Sequence, residues 1–173
     1  GLMKQMPVTF ACFAVAALSI SGVPPFNGFF SKEMIFAGAS DPKVNPIFLY
    51  AAMLGAILTF ASFLKLGHAV FLGAKREELS SVKESPIAIL IPMLVLATGC
   101  VLFGVYNRLP LEHLIEPILP VGMEHEQFWG FIHLNTLTMM SIVCLGIALA
   151  SHWYGFKVSG AGLKAADHIH HAP

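Results

Sequence analysis

Lys32 and Glu33 lie side by side inside an apolar stretch over about residues 8–39. Lys65 and His68 lie at i and i+3 inside another, over 46–73. Ionisable groups in such surroundings are costly, and they mark ion or proton paths more often than they occur by accident. Lys32 has Gly28, Phe29, Ile35 and Phe36 as helical neighbours three and four positions away. That apolar surface works against its charge, whereas a nearby carboxylate would hold it; a movable carboxylate would make Lys32 a proton switch. Glu33 points about 100° away around the helix and is expected to serve another neighbour. The competing expectation is that Lys32 snorkels to the outer interface as an anchor. Lys65 and His68 share one helix face and would extend a proton path, or else snorkel to the interface just before Lys75 and Arg76.

The element that must position Lys32 is the interruption Gly22-Val23-Pro24-Pro25-Phe26-Asn27-Gly28. An unbroken helix over 8–39 would overshoot a bilayer core, which needs roughly 20 apolar residues. Proline lacks a backbone donor and clashes with the preceding turn, so the helix is expected to break at Val23–Pro25. Within a membrane such a break is tolerated only where protein or a water-filled cavity satisfies the freed backbone groups. With the break at mid-membrane, a rise of about 1.5 Å per residue puts Lys32 roughly 10–14 Å towards the outer side, and Lys65 roughly 10 Å inward.

Of 173 residues, 56% are hydrophobic and 12% charged, and the mean hydropathy is +0.73. Soluble globular chains are far more polar. The apolar stretches 8–39, 46–73, 86–106 and 128–156 predict an all-α fold of polytopic transmembrane helices, about four spans, the first broken at Pro24-Pro25. Residues 1–85 then hold the broken helix and the helix after it. Residues 86–173 hold two further spans, an amphipathic connection and a tail. Ten basic residues balance ten acidic ones, so lipid and other membrane proteins are the expected partners, not nucleic acid. Cys12, Cys100 and Cys144 stand alone in three different stretches, as small buried hydrophobes would. No GxGxxG, GxxxxGK[ST], HExxH, CxxC or GxSxG pattern occurs, and no cofactor is expected in this chain.

Glu112, His113, Glu116, Glu124, His125 and Glu126 are side chains of zinc-ligand type. Leu111, Leu114, Ile115 and Ile118 point instead to a short amphipathic surface element stopped at Pro117 and Pro120. No metal site is expected there, nor at the tail histidines His168, His170 and His171. Four spans put both termini on one side, with Lys4, Lys75, Arg76, Lys83, Lys157 and Lys164; only Lys43 and Arg108 fall on the other. Six against two predicts cytoplasmic termini. Trp129, Trp153 and Tyr154 fit an aromatic belt, and His133 and His152 fit interface or subunit contacts. The chain opens at Gly1 without a signal-peptide pattern and is expected to be a portion of a longer polypeptide.

The stretch Gly1-Leu2-Met3-Lys4-Gln5-Met6-Pro7, followed by Gly22-Val23-Pro24-Pro25-Phe26-Asn27-Gly28-Phe29-Phe30-Ser31-Lys32-Glu33, resembles the antiporter-like membrane subunits of respiratory complex I. The same module occurs in Mrp-type sodium/proton antiporters and in membrane-bound energy-converting hydrogenases. Val70-Phe71-Leu72-Gly73, with Lys65 upstream, is similar to the next helix of the large distal subunit. After Glu84 the likeness is mainly one of hydropathy. The resemblance implies two inverted repeats, each with a broken helix, of which this chain carries the second. It implies that Lys32 ends the central polar axis on the proton-release side. Glu33 is then expected to be its modulator or a partner-facing acid, and Lys65, with His68 one turn on, a secondary relay. The chain would be a non-redox, proton- or sodium-translocating subunit of a larger oxidoreductase in an energy-transducing membrane. Its partners would be other membrane subunits, among them the missing N-terminal antiporter half. A component of a stand-alone cation/proton antiporter, or a bracing subunit without an ion path, would share these features.

Overall fold

A computed structural model describes residues 1–73, 81–118 and 135–170. All regular structure among them is helical. After a single turn at Leu2–Lys4, α1 spans Pro7–Ser21, with proline in its first turn where a missing N–H costs nothing. α2 spans Asn27–Ala39. α3 spans Ile47–Gly67 and runs on through the wider turn His68–Leu72. α4 spans Ile87–Val105. Short turns follow at Arg108–Pro110 (α5), Leu111–Ile115 and Glu116–Ile118, and α6 spans Thr136–His170.

Among the described residues, three stretches are long and apolar enough to cross a membrane: Ile47–Leu72, Ile87–Val105 and Thr136–Val158. The first expected span is divided, as proline chemistry requires. α1 has 15 residues and α2 has 13, too short for either to cross alone. The last helix outruns its expected end at Phe156 by fourteen residues. Leu163, Lys164 and three alanines after Ser159 favour helix more than Gly160 and Gly162 oppose it. Residues 128–134, where that span was expected to begin, lie outside the described residues, as do Lys75, Arg76, Pro120, Trp129, His133 and His171.

Pairings between elements give their directions. The Phe10 and Phe13 rings lie 5.2 and 5.1 Å from that of Phe71, while Phe36 packs with Ala56. α1 and α2 therefore run in one direction past an antiparallel α3, as two halves of one broken span. α6 runs parallel to α3: Cys144 packs with Ala56, and His152 and Phe156 meet His68. α4 runs beside α1, from Ser85 near Thr9 to Gly104 against Pro25. The core where α2, α3 and α6 meet holds Phe36, Ala56 and Cys144, flanked by Met53, Ile57 and Met140. Most of the outer surface of the three long helices is apolar and exposed, as lipid- or subunit-facing helices are.

At the end of the molecule where Gly1 meets Gly73, Glu84 latches the start of α1. Its carboxylate accepts the Val8 amide at 2.7 Å and the Thr9 hydroxyl at 2.6 Å. A carboxylate suits the positive end of a helix. The Thr9 hydroxyl, above all, holds this carboxyl below the usual range, with the amides of Ser85, Val8 and Thr9 assisting and desolvation opposing.

Candidate functional site

The break between α1 and α2 is built at Gly22. Its φ of 79° and ψ of 37° are left-handed, a conformation that glycine adopts without strain. The Gly22 amide donates to the Ser19 carbonyl at 2.9 Å, and that of Val23 to Leu18 at 3.0 Å, closing α1 in a Schellman motif. The Pro24–Pro25 bond is cis. The Phe26 amide returns to the Val23 carbonyl at 3.1 Å, and the Ser19 hydroxyl donates to the Asn27 side-chain carbonyl across the gap. A Cβ on Gly28 would sit 1.9 Å from the Ser19 carbonyl oxygen, and one on Gly104 would sit 2.1 Å from that of Pro25. Backbone thus packs on backbone here, and the break is rigid.

Lys32 extends back over this break. Its stem passes where a Gly22 side chain would stand, and its Nζ donates to the Ser21 carbonyl at 2.8 Å. That carbonyl belongs to the last residue of α1, at the negative end of the helix, where a cation is favoured. The side chain therefore points towards the break and away from the far end of α2, where a snorkelling lysine would aim. The thiol of Cys144 on α6 interacts electrostatically with it.

Glu33 turns elsewhere, as the 100° separation implies. It is 6% exposed, and its Oε1 accepts the hydroxyl of Thr138 at 2.5 Å. Thr138 is fully buried in the first turn of α6, where its amide donates to the Asn135 side chain at 2.8 Å. Ser141 lies on α6 three residues beyond Thr138. Its hydroxyl and that of Ser21 are buried and have no hydrogen-bond partner among the described residues. A buried hydroxyl in that state costs about 1–3 kcal/mol, so such groups normally hold water.

Lys65 and His68 do share one face, and they line a cleft of about 450 Å³ between α3 and α6. Ser151 and His152 line its other wall, and the His68 ring lies 5.7 Å from His152 and 4.6 Å from Phe156. About 12 Å of helix rise separates His152 from Cys144. The buried side chains along that interval, Phe60 and Ala148, are apolar. The four ionisable residues singled out from the sequence thus fall into two groups, Lys32 with Glu33 and Lys65 with His68.

Thr138, Ser141, Cys144, Ser151 and His152 were not tied to either pair by the sequence reading. Their signal was present: small or polar residues recur every three to four positions along the otherwise apolar α6. All three cysteines are free thiols. Among the described residues no three His, Cys, Asp or Glu side chains come together as metal ligands. Glu124, His125 and Glu126 lie outside those residues. Arg108 and Glu112 form an i,i+4 ion pair on the surface.

Residues 1–59 match the protein family described as NADH:quinone oxidoreductase/Mrp antiporter, TM. The chain is 35% identical over 161 residues to NADH-quinone oxidoreductase subunit L of Mycobacterium tuberculosis (strain CDC 1551 / Oshkosh), covering 90% of this chain and 25% of the relative. It is 31% identical over 171 residues to a Na(+)/H(+) antiporter subunit of Alkalihalophilus pseudofirmus, covering 86% and 21% respectively. Identity to the corresponding Na(+)/H(+) antiporter subunit of Bacillus subtilis is 30% over 168 residues, covering 84% and 21%. The chain spans a quarter or less of the length of these relatives.

Proposed function

We propose, on the premise that this chain is an antiporter-like membrane segment of the NADH:quinone oxidoreductase/Mrp kind, that it carries the terminal proton station of a redox-driven, multi-subunit membrane assembly. The observation that carries the proposal is Lys32, seated on the Ser21 carbonyl at the end of α1. Charged, the lysine is held by that carbonyl and the helix end. Neutral, it can take a proton back from water bound at the Ser21 and Ser141 hydroxyls. Glu33 modulates the lysine from its anchorage on Thr138. Lys65 and His68 act as a secondary relay on the far side of the apolar layer. No cofactor belongs to this segment; electron transfer belongs to other subunits, and the N-terminal antiporter half completes the channel. The end of the molecule carrying Lys4 faces the negative side of the membrane.

The test is proton pumping by the intact assembly in sealed vesicles, wild type against Lys32→Ala, with assembly checked in both. Loss of pumping in an assembled complex is the expected outcome. Unchanged pumping would make Lys32 an anchor and the chain a brace. The likeness to Na(+)/H(+) antiporter subunits supports a second reading, an ion path that works without electron transfer. Sodium-dependent proton movement in the absence of an electron donor would assign the chain to that kind of assembly.

A further inference from the structure

The cleft between α3 and α6 has a chemistry of its own. Three groups able to carry positive charge, Lys65, His68 and His152, converge on it with the Ser151 hydroxyl, and among the described residues no acid lines it. Lys65 is exposed and makes no hydrogen bond or ion pair among those residues. The remaining walls include Ala61, Ala69 and Gly155, small and apolar, which leave room for a bulky neighbour. Leu66, Leu72 and Val158 make the surrounding surface exposed and apolar.

The depth of the cleft is set by the helices that form it. Lys65 stands seven residues before Leu72, about 10 Å of helix rise, and His152 stands six before Val158, about 9 Å. Ile47–Leu72 has 26 residues, about 39 Å of helix against a hydrocarbon core of about 30 Å. Lys65 is therefore rooted about 5 Å inside the core boundary, and its stem reaches back to the boundary. Lys157 lies 3.8 Å over the Trp153 ring one turn beyond, a pairing suited to the interface. A cation, two imidazoles and a hydroxyl at that level, above apolar walls, match a phosphodiester with its acyl chains below.

We propose that this cleft binds the headgroup phosphate of an anionic phospholipid. Lys65 forms the ion pair, His68, His152 and Ser151 donate hydrogen bonds, and an acyl chain lies along Ala61 and Ala69. The proposal goes beyond the proton-station reading and does not depend on it. The apolar walls favour a lipid, whose acyl chain covers them, over a free anion, which leaves them bare.

The test uses the full-length subunit in nanodiscs of phosphatidylglycerol or phosphatidylcholine, with retained lipid counted by native mass spectrometry. Lys65→Gln is expected to weaken phosphatidylglycerol retention about fivefold, from the contribution of one basic residue at a membrane surface. Lys65→Arg is expected to restore it, and phosphatidylcholine retention to stay unchanged. Where Lys65→Gln does not yield folded protein, His152→Gln is expected to lower phosphatidylglycerol retention in the same direction. Equal phosphatidylglycerol retention in the wild type and in the folded variants would overturn the proposal. So would displacement of the lipid by excess inorganic phosphate, which would mark the cleft as a free-anion site. Cross-linking of Lys65 to another stretch of polypeptide in the lipid-stripped protein would overturn it too, by showing the cleft covered.

Discussion

The break at Gly22–Asn27 and the cleft between α3 and α6 both present basic side chains to a largely apolar environment, yet they are built oppositely. At the break, backbone approaches backbone at Gly28 and Gly104, the lysine has a carbonyl to hold, and its acidic neighbour is buried on Thr138. At the cleft, Lys65 is exposed, the two imidazoles touch only by their rings, and small residues leave open space. The difference follows from what each helix supplies. A broken helix exposes carbonyls that a cation can satisfy from within the protein, whereas a continuous helix such as α3 uses all its carbonyls internally and leaves its lysine to find a partner outside. A closed site of the first kind suits an ion that must be held and released in place. An open one suits a ligand that arrives from the surroundings.

Substitutions sharpen this contrast in order of size. Gly28→Ala drives a Cβ into the Ser19 carbonyl and is expected to cost about 3 kcal/mol, the upper end of the overpacking range. Gly55→Ala and Gly146→Ala, with nothing within 4 Å, are expected to be neutral or slightly stabilising. Thermal unfolding in detergent compares the three, and equal melting temperatures would mean that the break is not rigid. Next, Lys32→Ala is expected to abolish most proton movement in the assembled complex, and Lys65→Ala to reduce it only partly. Equal losses would erase the distinction between a closed station and an open cleft.

Thr138→Val removes a hydroxyl from a buried carboxylate and is expected to cost about 1–3 kcal/mol, with Thr138→Ser close to wild type. Ser151→Ala, in the open cleft, is expected to fall within about 0.5 kcal/mol of wild type in the same unfolding assay. The smallest effect lies at the Glu84 latch. Its carboxyl is held below the usual range, so the latch is complete above the unfolded carboxylate value near pH 4.3 and is lost as pH falls through the lower folded value. Hydrogen exchange at the Val8 amide is expected to quicken across that acid window in wild type, and to show no such transition in Glu84→Gln.

Much of this was legible in the residues themselves. Gly22 and Pro24-Pro25 announced the break, and the structure ends α1 at Ser21, one residue before the Gly22 cap. The i and i+3 spacing of Lys65 and His68 announced one face, and both line one cleft. The divergence of Lys32 from Glu33 was likewise implied by their adjacency. What could not be read was the partner of each. Thr138 lies 105 residues from Glu33, and no local pattern ties His152 to His68. Ser21 was hidden for another reason: Lys32 uses its backbone carbonyl, which every residue possesses.

The sequence by itself determined that the chain is helical, that its stretches suit a bilayer, that the first of them is broken, and which side chains are ionisable within them. Hydropathy, proline's missing donor and helical periodicity act within a single element, so they can be read along the chain. Only the tertiary structure decided that Lys32 turns back to the end of α1, that α6 runs parallel to α3, and that the two ionisable pairs are divided by Phe60 and Ala148. Those outcomes depend on which helix faces dock, and docking is governed by small residues, close backbone approach and buried hydroxyls brought together from distant parts of the chain.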